Sequence, residues 1–203
     1  MKKKKILIAG VILLILAVAV GTGCHYLGQK RAAEKEQKEK VEQEEKAQER
    51  IKTENTEKIE RASGNKIPSI VISNAQVKPG EKLNVSVSMV NNPGILGMSL
   101  TLSFDEIVLK LVNAEEGTAF DGILDMNHSK TLENGCVFLW DGENLTEDQI
   151  QDGEILNLEF EVLEDAPEGK TQIVLMGDED GTVDQNLETV NPVIENGFIT
   201  VAK

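Results

Sequence analysis

The side chains able to do bond-making chemistry are few and scattered. From Ala62 onward the 203-residue chain holds one histidine, His128, one cysteine, Cys136, and twenty-five Asp or Glu against seven Lys. A hydrolase needs an acid, a base or a nucleophile brought together. Neither Gly-x-Ser-x-Gly nor His-Glu-x-x-His occurs. The densest acidic run, Asp178-Glu179-Asp180-Gly181 followed by Asp184, has the hard carboxylates that suit Ca²⁺. It lacks the Asp-x-Asp-x-Asp-Gly order and distal Glu of an EF-hand loop, and it reads as an acidic hairpin turn. The other carboxylates cluster in turns, where solvated surface charge is the ordinary role. No catalytic constellation and no metal site are expected.

What the residues do offer is a contact surface. In Asn92 to Asp105 a turn, Asn92-Pro93-Gly94, leads into strict alternation: Met98, Leu100, Leu102 and Phe104 on one face, Gly97, Ser99, Thr101 and Ser103 on the other. That period marks a half-buried strand, its apolar row sealing a core and its small polar row leaving a smooth outer strip.

Three blocks of different composition carry this strip. Residues 1–28 have a net charge of +4, residues 29–61 of 0, and residues 62–203 of −18. The acidic block repels nucleic acid and anionic lipid heads and favours cationic partners. In the first block, Lys2 to Lys5 precede an apolar run from Ile6 to Val20, which extends without a full charge through Leu27 to about 22 residues, enough to cross a bilayer. The lysines belong on the cytoplasmic side, which sends the rest of the chain outside. Two readings compete with this signal anchor. Ala17-Val18-Ala19 fits a signal-peptidase site, which would secrete the protein. Gly21-Thr22-Gly23-Cys24 resembles a lipobox, which would make a lipoprotein at Cys24, although Gly21 stands where an aliphatic residue is usual.

Residues 29–65 read as a charged helical spacer. Glu34/Lys38, Glu36/Lys40, Glu42/Lys46, Glu54/Lys58 and Glu57/Arg61 are opposite-charge pairs at i,i+4. No apolar seam persists for three heptads, so a solitary helix is favoured over a coiled coil. It would span roughly 50 Å and end near Gly64 as its C-cap.

Residues 66–203 show short apolar-alternating runs between Pro-Gly and Asn-Gly turns at roughly ten-residue spacing, which argues for an all-β sandwich. Nine strands are expected near 69–73, 83–90, 96–104, 108–112, 124–129, 136–141, 155–163, 172–175 and 197–201, a jelly-roll count. Cys136 takes an inward, small-apolar role, and no disulfide with Cys24 is implied.

The order of these features is itself informative. A Lys-Pro-Gly-Glu turn at residues 78–81 precedes the Val-rich strand 83–90. The Asn92-Pro93-Gly94 turn and a strand ending Phe104-Asp105 follow, then Val108, Leu111 and Val112, Glu116-Gly117, Val137 to Trp140, Asp152-Gly153 before Phe160 to Val162, Glu168-Gly169, and a terminal Asn196 to Val201. Over about residues 67–203 this series resembles a cohesin module of the cellulosome type. It departs from the family's Tyr-Asp-Pro, which is Phe104-Asp105-Glu106 here, and it matches poorly between Gly117 and Glu133.

The resemblance implies binding of a dockerin, with Ca²⁺ on the dockerin and no cofactor on this chain. The partner would lie on one flat sheet face built by the third, fifth, sixth and eighth strands. Carried onto this chain, that face offers Gly97, Ser99 and Thr101, Asn127 or Ser129, and Val137 and Leu139. The last two are apolar side chains on an otherwise solvated face, which implies that something covers them. The rival reading is a carbohydrate-binding or adhesion domain on the same jelly roll. It would need exposed aromatic platforms, and Trp140, Phe104, Phe138, Phe160 and Phe198 alternate inward, with only Phe120 in a loop. The expected protein is therefore a non-catalytic, membrane-anchored surface receptor for a dockerin-bearing protein of a polysaccharide-degrading system.

Overall fold

A computed structural model describes the backbone of residues 2–202 and the side chains of residues 34–202 other than Glu179. The chain forms two compact units, Met1–Ala47 and Gln48–Lys203. One helix, α1 (Lys2–Asn65), contributes to both.

In the first unit the described side chains other than Ala47 are exposed, and several are linked along the helix. Two of the expected pairs form, Lys40 with Glu36 at 3.0 Å and Lys46 with Glu42 at 2.7 Å, and Lys35 meets Glu39 at 3.7 Å. Each such exposed i,i+4 pair contributes a few tenths of a kcal/mol. The apolar run from Ile6 to Leu27 lies outside the residues whose side chains are described. Among the described residues no helix is long and apolar enough to cross a membrane.

The second unit is a β-sandwich of eleven strands, two more than the nine expected. They are β1 (Ser69–Ile72), β2 (Ala75–Val77), β3 (Lys82–Val90), β4 (Ile95–Ser103), β5 (Leu109–Glu116), β6 (Asp125–His128), β7 (Val137–Asp141), β8 (Gly153–Val162), β9 (Gly169–Asp184), β10 (Val193–Glu195) and β11 (Gly197–Val201). One sheet has the order β10-β1-β3-β8-β5, the other β2-β11-β9-β4-β7-β6. The two missed strands, β2 and β10, have three residues each, too short for a period to register.

Alternation holds where it can be read. In β7, Val137, Leu139 and Asp141 are exposed while Phe138 and Trp140 are buried, and β4 buries Met98, Leu100 and Leu102. These meet Val85, Val87, Leu156, Leu158, Phe160, Ile173 and Leu175 in one continuous core. Cys136 is buried and free, and burial pushes its thiol above the ordinary range. At Phe104-Asp105-Glu106 the absent proline is replaced by hydrogen bonds. The Asp105 carboxylate accepts from the Ile107 amide at 3.1 Å, and Glu106 accepts from the Asn134 amide at 3.0 Å.

Three expectations need correction. The helix ends at Asn65, within the expected stretch, but Gly64 is not its C-cap: Lys66 takes the left-handed conformation that closes it, with φ of 55°. The run Asp178-Glu179-Asp180-Gly181 is not a hairpin turn. It interrupts the pairing of β9 with β4, which jumps from Leu100↔Gly177 to Met98↔Thr182, so the acidic residues leave the sheet as an excursion inside one 16-residue strand. Finally, two aromatics exchange roles. Phe120 is buried in the core, edge-on to Trp140 with centroids 6.3 Å apart, whereas Phe198 faces outward and is 41% exposed. Phe120 reaches the core because its loop folds beneath Trp140, which no local pattern encodes.

Candidate functional site

Four strands of the six-stranded sheet lie side by side in the order β9-β4-β7-β6. Their outward residues form rows across the strands. Asn127 stands opposite Leu139, and Leu139 opposite Ser99. Val137 stands opposite Thr101, and Thr101 opposite Met176. Asp125 stands opposite Asp141, and Asp141 opposite Gly97. The sequence-named residues Gly97, Ser99, Thr101, Asn127, Val137 and Leu139 therefore come together on one outer face.

Val137, Leu139 and Met176 are 37%, 45% and 50% exposed, an apolar patch between the small side chains of β4. A bare sheet face of this kind is uncommon unless another surface covers it. The strip beneath the patch is open: a Cβ added at Gly97 would meet only Val183 at 3.4 Å and the Trp140 carbonyl at 3.8 Å.

Ser129 lies one residue beyond β6. Its hydroxyl accepts a hydrogen bond from the Val137 amide at 3.0 Å and its own amide donates to the Val137 carbonyl at 3.0 Å. The side chain thus extends the β6–β7 ladder, which leaves Asn127 as the freer of the two polar candidates. His128 has the parity of the core-facing side of β6 but is exposed; its ring lies 6.1 Å from that of Phe138, and its Nδ1 lies 2.8 Å from the Ser129 carbonyl.

Met176 is the face residue that sequence reasoning missed. The signal was present, since Gln172, Val174 and Met176 alternate with buried Ile173 and Leu175. The expected strand, 172–175, stopped just short of Met176 because Gly177 and the acidic run resemble a turn, whereas β9 runs on to Asp184.

Apart from this face, Glu116 of β5, in the other sheet, lies within reach of the charges of Asp121 and Asp125. Its Oε1 is shut off from solvent without a hydrogen-bond partner. Burial first, then the charges of Asp121 and Asp125, push its carboxyl above the ordinary range. Because the folded-state value is raised, the protonated form is favoured on folding. That contribution is complete below the unfolded-state value and is lost as pH rises through the folded-state value. Glu116→Gln, which cannot ionise, is expected to melt close to the parent at acidic pH. At pH 7.5 it should melt above the parent, which then carries a carboxylate that burial and the neighbouring charges disfavour. Melting curves from pH 4.5 to 8 check this, and a constant difference across the range would refute it. Among the described residues no group of three or more His, Cys, Asp or Glu is arranged to hold a metal ion.

Comparison with known proteins follows the same outline. The cohesin domain family model matches residues 68–201. No curated protein matches the sequence significantly. Among solved structures, the chain is similar to a type I cohesin–dockerin complex of OlpA from Clostridium thermocellum, at 21% identity and a TM-score of 0.57, covering 67% of this chain and 99% of that one. It is similar also to the seventh type I cohesin of ScaB from Pseudobacteroides cellulosolvens, with 21% identity, a TM-score of 0.55, and coverage of 67% and 92%. A non-cellulosomal cohesin from the hyperthermophilic archaeon Archaeoglobus fulgidus is similar at 18% identity and a TM-score of 0.56, over 68% of this chain and 92% of that one.

Proposed function

Because the chain belongs to the cohesin family, we propose that its sandwich is a non-catalytic docking module that binds a dockerin, and that residues 1–28 hold it at the cell surface as a signal anchor. The observation that carries the docking reading is the apolar patch of Val137, Leu139 and Met176 on the outer face shared by β9, β4 and β7. Such a patch suits the apolar side of a helix, with Ser99, Thr101 and Asn127 available for hydrogen bonds around it. The acidic row of Asp125 and Asp141 would steer a Lys- or Arg-bearing partner, which raises the association rate more than the affinity. Calcium enters only on the dockerin. The anchor reading rests on the basic-then-apolar order of residues 2–27.

Calorimetric titration of the full chain against a panel of dockerins tests the docking reading. Binding in Ca²⁺ that disappears in EDTA is expected, because chelation would unfold the partner's loops and leave this chain intact. Failure to bind any dockerin, together with retention on a polysaccharide column, would move the protein to the glycan-binding reading. In that case Phe198, the one exposed Phe or Trp among the described residues, would be the place to look. For the anchor, the chain should stay with membranes through a high-salt wash and be released by detergent.

A further inference from the structure

At one edge of the sandwich two chain segments pass from sheet to sheet together. β1 pairs in parallel with β10 in the first sheet, and β2 pairs in parallel with β11 in the second. The connections Ser73-Asn74 and Asn196 therefore pass from sheet to sheet side by side. They are so close that a Cβ on Gly197 would lie 2.5 Å from the Ser73 carbonyl oxygen. Crossing interrupts both ladders and leaves main-chain groups without strand partners, each of which costs about 1–3 kcal/mol if buried and unpaired.

Side chains of α1 supply the missing partners. The Lys58 ammonium is buried, 9% exposed, and donates to the carbonyls of Ile72 at 2.6 Å and Asn196 at 2.9 Å, one on each crossing segment. Asn55 closes a two-way bond with Asn74, donating to its carbonyl at 2.9 Å and accepting from its amide at 2.7 Å. Gln48 donates to the Gln76 carbonyl in β2 at 3.2 Å. Beyond the crossing, Ala62 is buried with Val71 and Val90, and Asn91 donates to the Ala62 carbonyl at 2.8 Å. Lys58 and Arg61 thus do not serve the i,i+4 pairs that the sequence offers. Lys58 is turned into the crossing, and Arg61 lies 3.7 Å from Glu195 in β10.

We propose that Gln48–Asn65 is a built-in strap that latches the double crossover, so that the folded module begins at Gln48, some twenty residues before the family match. The family model matches residues 68–201, all of them C-terminal to this helix. The strap also touches β2, an edge strand with only β11 as a ladder neighbour, through the Gln48–Gln76 hydrogen bond. Burial holds the Lys58 ammonium below the ordinary lysine range, with Glu195 opposing. A buried charge of this kind, left without its two carbonyls, would be costly, which makes docking cooperative rather than loose.

Hydrogen–deuterium exchange on the full chain, with Lys58→Met, Asn55→Ala and the control Lys46→Met, tests the strap. In the parent, amides of residues 48–65 are expected to exchange at least tenfold more slowly than those of residues 34–47. Lys58→Met should speed exchange at 72–77 and 196–199 by tenfold or more and lower the melting temperature, whereas Lys46→Met should change neither. If Lys58→Met does not fold, Asn55→Ala removes two hydrogen bonds without touching the charge and carries the same readout. Equal exchange in the two halves of the parent helix, or crossing segments indifferent to both strap variants, would overturn the proposal.

Discussion

Leu139→Asp is expected to weaken dockerin binding by roughly 100-fold while leaving the fold intact. Leu139 is 45% exposed at the centre of the outer face, flanked across the ladders by Asn127 and Ser99. A few residues near the centre of an interface carry most of its binding energy, at about 2 kcal/mol or more each, and about 2.8 kcal/mol corresponds to a hundredfold change in Kd. An aspartate there also brings a charge into a contact that must shed water, with Asp141 two residues further along the same face adding repulsion. In the free protein the side chain touches solvent, so the melting temperature should stay within about 2 °C of the parent, in line with surface substitutions of ±0.5 kcal/mol. Titration calorimetry and a melting curve on the same sample separate the two effects. Unchanged affinity in a folded variant would keep the docking function and remove it from this face.

The largest effect on stability is expected from the smallest substitution, Gly117→Ala. At the end of β5 the chain presses against the start of β8: the Gly117 amide donates to the Ile155 carbonyl at 3.0 Å, and the Ala119 amide to the Glu154 carbonyl at 2.8 Å. A Cβ at position 117 would lie 2.2 Å from the Glu154 carbonyl oxygen and 2.6 Å from the Ile155 nitrogen. Those neighbours are main chain, held in the β3–β8 ladder, and cannot rotate away as a side chain would. Relief requires the two segments to separate and break both hydrogen bonds, each worth about 1 kcal/mol net, with packing of Ala119 and Phe120 disturbed besides. A loss of about 3 kcal/mol is expected, which for a unit of this size lowers the melting temperature by about 6–12 °C. Gly122→Ala is the matched control, since nothing lies within 4 Å of its added Cβ and only its φ of 69° opposes the change. A Gly117→Ala protein as stable as the parent would mean that the approach of β5 and β8 is looser than these distances.

Much of the candidate face was legible because it depends on alternation. Once Phe138 and Trp140 were assigned inward, Val137 and Leu139 had to point out, and the same parity put Ser99 and Thr101 outside. Where the reading failed, the cause was a local signal overruled by pairing. Gly177 and the acidic run carry turn chemistry, yet β4 holds residues on both sides of them in one strand, and Met176 was lost from the face for that reason. Phe198 was assigned inward by position in an apolar strand, but β11 buries Gly197, Ile199 and Val201 and turns Phe198 out. The register of β6, which the sequence left doubtful, is fixed by its ladder to β7, and Asn127 joins the face while Ser129 is drawn into main-chain bonding.

The sequence by itself determined the block structure of the chain, the sandwich class, the inward and outward sides of the long strands, and the family to which the C-terminal block belongs. Each is a property of residues near one another in the chain: composition, period and turn chemistry. Tertiary structure alone decided which outward residues share a row, that Met176 completes the apolar patch, and that Lys58 leaves its helical partner for a carbonyl 138 residues away. Those choices depend on which strands lie side by side and on main-chain groups left unpaired where two segments cross. Neither can be read from a local pattern, because the competing partners are equal in chemistry and differ only in where the fold places them.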